Sequence, residues 1–246
     1  MIKKIMLLFV LTGLIYSCEK ELQDADAVIV KSIEVSGGTL LDNSNIEFDF
    51  RDKHYNATRN NGKFNYQRGF SDSLGEIKDV LNNKGFQRYI NNTIFEVSEG
   101  KAQAYAGSVN SVHYFSVLPY GLNGAAVNKS YIGKVEIKSN GYHKIKVTFN
   151  QEGGGEDFDD VFIYWINTET FKADYLAYSY EENHGLGLRF REAYNERFIE
   201  GIRFVDYNNY KPIESQAKLE DLDSLFENDA LELLSKIELE HVVVVL

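Results

Sequence analysis

The sequence predicts a mainly β fold of the α+β class, in which a single curved antiparallel sheet forms an open or half barrel with a few helices packed on or across it. Short segments alternate apolar and polar residues, turn residues separate these segments, and long helical periods are few. The segments add up to roughly nine to eleven strands, and a sheet of that size curls instead of staying flat. With 246 residues, 43% of them hydrophobic, the chain can bury a sizeable core.

Composition excludes several classes of function. The chain has 26 Lys and Arg against 37 Asp and Glu, a formal charge of −11. This charge disfavours a nucleic-acid partner, because proteins hold nucleic acid with cations that neutralise its phosphates. The single cysteine excludes an intrachain disulfide and a zinc ribbon or iron–sulfur cluster held by this chain's cysteines alone. No cofactor is indicated, and the oligomeric state stays open.

Residues 1–17 have the pattern of a signal peptide. Lys3 and Lys4 precede an apolar run over residues 5–16. At about 12 residues, this run is shorter than the roughly 20 residues that a membrane-spanning helix needs. We therefore expect the segment to be removed from the mature protein.

The junction at Cys18 indicates a lipid anchor. Residues 14–18 resemble a bacterial lipobox, with Tyr16 in place of its usual small residue, so Cys18 is predicted to become the lipidated first residue. Residues 18–26 are then the lipidated cysteine and an acidic tether, which resembles the export signal of surface-exposed lipoproteins in Bacteroidetes-type bacteria. We expect a bacterial cell-envelope protein, attached to the outer membrane through this anchor, in either the periplasmic or the surface leaflet. An ordinary secretory signal with an incidental cysteine is the alternative.

Residues 27–246 are expected to form a single open-barrel domain. Apolar residues at helical spacing predict a helix over residues 24–36, which ends at Gly37-Gly38. Alternation then predicts a hairpin across residues 46–70, with Asn60-Asn61-Gly62 as its tight turn.

The middle of the chain is less regular. Residues 74–91 suit either a broken helix, over 74–84, or a strand, and residues 110–115 suit either type as well. Asn140-Gly141 is a hairpin-turn signal between two alternating segments. Further strands are predicted over residues 131–139, 142–149, 161–166, 174–180, 188–194, 198–207 and 237–245, and a helix over residues 216–227.

Four phrases resemble an uncharacterised family of Bacteroidetes cell-envelope lipoproteins over most of residues 24–245. That family is distantly similar to the outer-membrane lipoprotein-carrier fold. The resemblance implies an unclosed antiparallel β-barrel, capped by helices, that holds acyl chains in its concavity. The four phrases are Phe48-Asp49-Phe50-Arg51, residues 110–120, residues 148–165 and residues 189–195.

A basic pair indicates where an amphipathic ligand would place its head group. Arg189 and Arg191 are two residues apart on a predicted strand and so point to the same face, where they could hold one phosphate or carboxylate. Pairing with neighbouring acidic residues is the alternative. The predicted ligand, apolar or amphipathic and of lipid or acyl type, would contact Phe115, Tyr142, Tyr164, Trp165, Arg189, Arg191 and Tyr194.

Two other classes of function stay open. A hydrolase or lyase acting on a small polar substrate would use His113, Tyr114 and an acid such as Asp160, provided that the three converge; otherwise His113 is structural. A surface adhesin or envelope-complex subunit would need an exposed apolar patch. No metal site is indicated, because the histidines lack metal-ligand spacing and the acidic residues 153–160 lack a calcium-loop pattern.

Overall fold

The computed structural model describes residues 24–153, 158–182 and 185–246. Within these ranges the chain forms three α-helices and 14 strands, which lie in two seven-stranded antiparallel sheets that do not close into a barrel. The predicted mainly β, open antiparallel architecture is confirmed, with the strands divided between two sheets. None of the helices in the described ranges is long and apolar enough to cross a membrane. The predicted signal peptide and Cys18 lie outside these ranges.

The first sheet carries the N-terminal half of the chain and its last strand. Its strands are β1 (Asn43–Phe50), β2 (Lys53–Asn60), β3 (Lys63–Asp72), β4 (Gly75–Asn82), β5 (Gly85–Ile90), β6 (Thr93–Phe95) and β14 (Glu240–Val245). They run in the order β14-β1-β2-β3-β4-β5-β6. Every pair of adjacent strands except β14 and β1 is therefore consecutive in the chain and forms a hairpin.

The second sheet is a meander of consecutive strands. These are β7 (Val127–Ile137), β8 (Asn140–Phe149), β9 (Val161–Asn167), β10 (Ala173–Glu182), β11 (Gly185–Ile199), β12 (Ile202–Pro212) and β13 (Leu231–Ile237). The edge strands β13 and β14 are consecutive in the chain. The link between them is held to the second sheet, because the Leu239 amide donates to Asp206 (3.0 Å) and its carbonyl accepts from Arg197 (2.6 Å).

The helices are α1 (Ala25–Val35), α2 (Glu99–Ser116) and α3 (Leu222–Glu227), with short 3₁₀ turns at Gly38–Asp42 and Leu219–Asp221. The predicted first helix is confirmed. The Asp24 side chain caps it by accepting the Asp26 amide (3.0 Å). The helix ends before Gly37, whose φ of 122° suits glycine and whose Cβ, if present, would lie 3.2 Å from the Ile202 Cα.

Several predicted elements differ in the structure. Residues 75–82 form a strand, so the helix considered over 74–84 is wrong, and residues 110–115 lie in α2. The turn at Asn60-Asn61-Gly62 joins β2 to β3, so the predicted hairpin contains an additional strand, β2. The hairpin of β7 and β8 turns at Lys138 and Ser139, which have φ values of 48° and 63°. This turn lies just before the predicted turn residues Asn140-Gly141.

The second sheet is buried on both faces, which is why β9 is apolar throughout. One face packs against α1 and the C-terminal end of α2, and the other packs against α3. Helix α2 also packs on β3, β4 and β5 of the first sheet, so it lies between the two sheets. The residues of β9 that face α1 and α2 are Phe162, Tyr164 and Ile166, whereas Ile163 and Trp165 face α3.

Candidate functional site

A cavity of about 340 Å³ opens between α2 and the second sheet. Helix α2 contributes one side of its wall, through residues at the spacing of a single helical face. Strands β10 to β13 contribute the other side, and Phe50, Asp160 and Leu239 complete the wall. The α2 residues in the wall are Ser111, Val112, Phe115 and Ser116.

The residues of the wall differ in burial, which gives the cavity a floor and a rim. We call the four buried residues, Ser116, Arg191, Val205 and Tyr207, the floor. The other wall residues are half-buried and form the rim. The rim is largely apolar and aromatic, with Phe50, Val112, Phe115, Tyr178, Tyr180, Ile237 and Leu239 accompanied by Ser111 and Asp160.

Arg191 is the charged residue of the floor. Its guanidinium carbon lies 4.0 Å from the ring centroid of Phe115 and 5.0 Å from that of Tyr178. One Nη atom donates to the Tyr178 hydroxyl (2.9 Å). The Arg191 Nε is buried and has no hydrogen-bond partner among the described residues. The guanidinium is therefore fixed by aromatic rings while one of its donors stays available.

The hydroxyl groups on the helix side of the wall are already satisfied. Ser116 donates to the carbonyl of His113 (2.8 Å), and Ser111 donates to the carbonyl of Ser108 (3.3 Å). Among the described wall residues, the Arg191 Nε is the one buried side-chain nitrogen or oxygen without a hydrogen bond. The helix side thus offers mainly apolar surface.

Two other cavities of the described residues have more polar walls. A cavity of about 640 Å³ lies on the outer face of the first sheet, but its wall consists mostly of charged and polar side chains such as Asp49, Lys53 and Glu76. A third cavity, of about 320 Å³, is lined by the ion-paired Asp174, Glu196 and Arg203. The cavity under α2 is the one that resembles ligand sites, which are mostly apolar with a few polar groups.

The structure brings two of the predicted ligand-binding residues, Phe115 and Arg191, to this cavity. Tyr164 is fully buried in the cluster of core residues against which Phe115 packs. Its hydroxyl lies 3.5 Å from that of Tyr114. Burial raises the pKa of both hydroxyls, that of Tyr114 to about 12. The guanidinium carbon of Arg189 lies 4.9 Å from the ring centroid of Tyr180, a rim residue.

The other three predicted residues lie elsewhere. Trp165 faces α3 and donates its indole N–H to Asp223 (3.0 Å), and Tyr142 belongs to the same cluster of core residues. Tyr194 donates to Glu238 (2.6 Å) outside the cavity. Because adjacent residues of a strand point to opposite faces, Trp165 cannot share a site with Tyr164.

The residues of the enzyme hypothesis do not converge. His113 is fully buried against the first sheet, where its Nε2 donates to the carbonyl of Gln67 (3.1 Å) and its ring stacks on Tyr66 (centroids 4.7 Å apart). Burial lowers the pKa of His113 to about 3. Tyr114 contacts the second sheet, and Asp160 lies on the cavity rim. His113 is therefore a neutral structural residue, which was the alternative reading.

The described residues also contain no group of three or more His, Cys, Asp or Glu side chains placed to hold a metal ion. The sequence analysis missed the remaining wall residues, among them Val112, Tyr178 and Tyr207. Val112 lies three residues before Phe115, a helical spacing that the undecided assignment of residues 110–115 left unused.

The fold and the cavity define a class: an open, helix-capped β-barrel with an apolar concavity. This chain belongs to DUF6503, a family of unknown function, whose sequence model matches residues 3–239. A search of the curated proteins found no match.

Two solved structures have the same fold. A LolA superfamily protein from Nitrosomonas europaea is 10% identical, with a TM-score of 0.51 over 89% of this chain and 92% of that one. A DUF1329 family protein from Desulfovibrio piger is 7% identical, with a TM-score of 0.52 over 90% of this chain and 93% of that one. The predicted distant resemblance to the lipoprotein-carrier fold is confirmed, and at these identities the likeness concerns the fold alone.

Proposed function

We propose that this protein is a lipid-anchored protein of the bacterial cell envelope that binds an apolar or amphipathic ligand of acyl type in the cavity under α2. The observation that carries the proposal is the cavity wall itself. Six of its side chains, Phe50, Val112, Phe115, Val205, Ile237 and Leu239, are aliphatic or phenylalanine, and three more are tyrosines. Burying an acyl chain against such surface contributes about 0.8 kcal/mol per CH₂ group.

The fold supports the same conclusion. In the lipoprotein-carrier fold that the sequence resembles, the concavity between sheet and helices is where acyl chains are held. We place the ligand of this chain likewise between a helix and a sheet, in the cavity between α2 and the second sheet. The fold likeness supports this location, and the apolar wall supports the class of ligand.

The anchor is the second part of the proposal. Residues 1–17 direct export, and Cys18 is acylated and holds the domain at the outer membrane through the tether of residues 18–26. An anchored protein does not diffuse across the periplasm as a soluble carrier does. It would therefore act as an acceptor or sensor of the ligand at one membrane.

The experiment is a titration of the purified full chain, held in phosphatidylcholine nanodiscs, with 11-dansylaminoundecanoic acid, a fluorescent fatty acid. Empty nanodiscs give the blank. We expect saturable, blue-shifted emission with one probe bound per chain, because the probe leaves water for an apolar wall. Emission equal to that of the empty nanodiscs at every probe concentration would contradict the proposal.

A further inference from the structure

The buried charge of Arg191 has no counter-ion among the described residues. The side chain is 8% exposed, and an arginine stays protonated even when it is buried. Its partners among the described residues are neutral: the hydroxyl of Tyr178 and the rings of Phe115, Tyr178 and Tyr207. Among the described residues no carboxylate forms an ion pair with it. Burial of a charge without a paired anion is unfavourable.

Two other buried arginines of the chain do have carboxylate partners. Arg68 contacts Asp79 (2.6 Å), and Arg203 contacts Glu196 (2.5 Å). Arg59 is buried between the rings of Tyr66 and Tyr120, and it does not line the cavity. Arg191 therefore differs from all three, because it lies in the floor of an apolar cavity and no carboxylate of the described residues pairs with it.

We propose that the ligand of this cavity is a single-chain amphiphile with one carboxylate, and that the carboxylate binds the Arg191 guanidinium at the floor. This inference rests on the proposed function and names the class of ligand for the same site. The Nε–H has no partner among the described residues, and together with an Nη it forms the edge through which arginine binds carboxylates by two parallel hydrogen bonds. The aromatic rings hold that edge in position before the ligand arrives.

The volume limits the number of chains. At about 340 Å³ the cavity is near the lower end of the roughly 300–1,000 Å³ that small-molecule sites span. It therefore suits one acyl chain and is small for the several chains of a phospholipid or a lipoprotein anchor. In a lipid with several acyl chains, the head group and more than one chain would also have to fit beside Arg191 at the floor.

The charges of the wall give the orientation. Arg191 is the cation of the floor, whereas the rim is largely apolar and aromatic. A ligand carboxylate is attracted to Arg191 and gains little at the rim. The head group therefore points inward and the chain runs outward along Val112, Phe115 and Ile237.

The test compares two probes that differ only in their head group, dodecanoate and 1-dodecanol, each titrated into the full chain in phosphatidylcholine nanodiscs. Hydrogen bonds to charged groups contribute about 1.5–3 kcal/mol, so we expect dodecanoate to bind roughly 10- to 100-fold more tightly than the alcohol. In Arg191→Gln the preference should disappear while dodecanol affinity is retained. Lys63→Gln, which removes an exposed cation of the first sheet outside the cavity wall, is the control and should keep the full preference.

A second readout uses the unchanged protein. With dodecanoate labelled with ¹³C at its carboxyl carbon, NMR titration should give a carboxyl pKa below the value in solution, because the guanidinium favours the charged form. A bound pKa at or above the solution value, or equal affinity for both probes, would overturn this inference and leave the proposed function standing. Failure of both probes to bind would instead count against the proposed function itself.

Discussion

The guanidinium carbon of Arg191, on β11, lies 4.0 Å from the ring centroid of Phe115, on α2. This contact joins the second sheet to the helix that lies between the sheets, and both residues line the same cavity. Because the charged Arg191 and the apolar Phe115 are in contact, a ligand bound in the cavity can contact both side chains.

Filling the cavity should abolish ligand binding. In Val112→Trp, the larger ring enters the cavity from α2, because Val112 is a half-buried wall residue. We expect at least a tenfold loss of affinity for the dansyl fatty acid, with near-native stability, since the ring fills existing space. Asn110→Trp adds the same ring at an exposed position of α2 and should bind as the wild type does. Equal affinity in both variants would place the ligand elsewhere.

Trp165 should matter for stability and not for binding. Trp165→Phe removes the indole N–H that donates to the buried Asp223, on the α3 side of the sheet. We expect a loss of roughly 1–3 kcal/mol in the free energy of unfolding, measured by urea denaturation, because a buried acceptor loses a partner. Affinity for the dansyl probe should be unchanged. A variant with native stability and weakened binding would show that our placement of the site is wrong.

Asp79 should be essential for stability. It is fully buried and accepts from Arg68 (2.6 Å) and from Arg88 (2.7 Å), so Asp79→Asn leaves two arginines without their anion. We expect a loss of about 3–5 kcal/mol in urea denaturation. Glu232→Gln is the control, because Glu232 pairs with Lys211 in an exposed ion pair, and should cost about 1 kcal/mol or less. Similar losses in the two variants would contradict this account.

His113 should contribute to acid destabilisation. Its pKa falls from 6.5 to about 3 on folding because of burial, so between these values the unfolded chain binds a proton that the folded chain does not. The free energy of unfolding therefore decreases as pH falls below 6.5, by at most about 1.4 kcal/mol per pH unit from this residue.

The measurement for His113 is urea denaturation of the wild type and of His113→Gln at several pH values. The glutamine amide retains a donor for the Gln67 carbonyl. We expect the variant to lose stability less steeply below pH 6.5 than the wild type does. Parallel curves for the wild type and His113→Gln would refute a neutral, buried His113.

Cys18 should determine membrane attachment. Cys18→Ser removes the thiol that the lipobox-like junction presents for acylation. We expect loss of metabolic palmitate labelling and release of the protein from the membrane fraction. Tyr16→Ala, which brings the junction closer to the usual pattern, should retain both labelling and attachment. A Cys18→Ser protein that still carries label would rule out this cysteine as the anchor.

The elements that the sequence predicted correctly have a clear hydropathy pattern, either one solvent-exposed face or, in β9, a continuous apolar run. Helix α1 has a single apolar stripe, and β1 alternates cleanly, with Ile46 and Phe48 inward. Strands β2 and β4 gave a weaker signal because polar residues occupy inward positions, Arg59 on β2 and Asp79 on β4. Ion pairs and aromatic stacking compensate these charges, and neither interaction is visible in a hydropathy pattern.

Helix α2 could not be assigned for a related reason. It lies between two sheets, so His113 contacts the first and Phe115 contacts the second. Its buried residues therefore do not form the single stripe that identifies a surface helix. Phe115 and Arg191 were predicted as ligand contacts. Tyr164 and Trp165 were predicted to share one ligand site, but adjacent residues of a strand point to opposite faces. Only the face of β9 that carries Tyr164 is directed to the side of the sheet where the cavity lies.

Extraction and mass spectrometry of the lipids that accompany the purified full chain is the most direct test of the central claim. We expect one acyl compound per wild-type chain, absent from Val112→Trp and retained by Asn110→Trp. A wild-type protein that carries no acyl compound, and that takes up none from added dodecanoate, would contradict the claim that the cavity under α2 is a lipid-binding site.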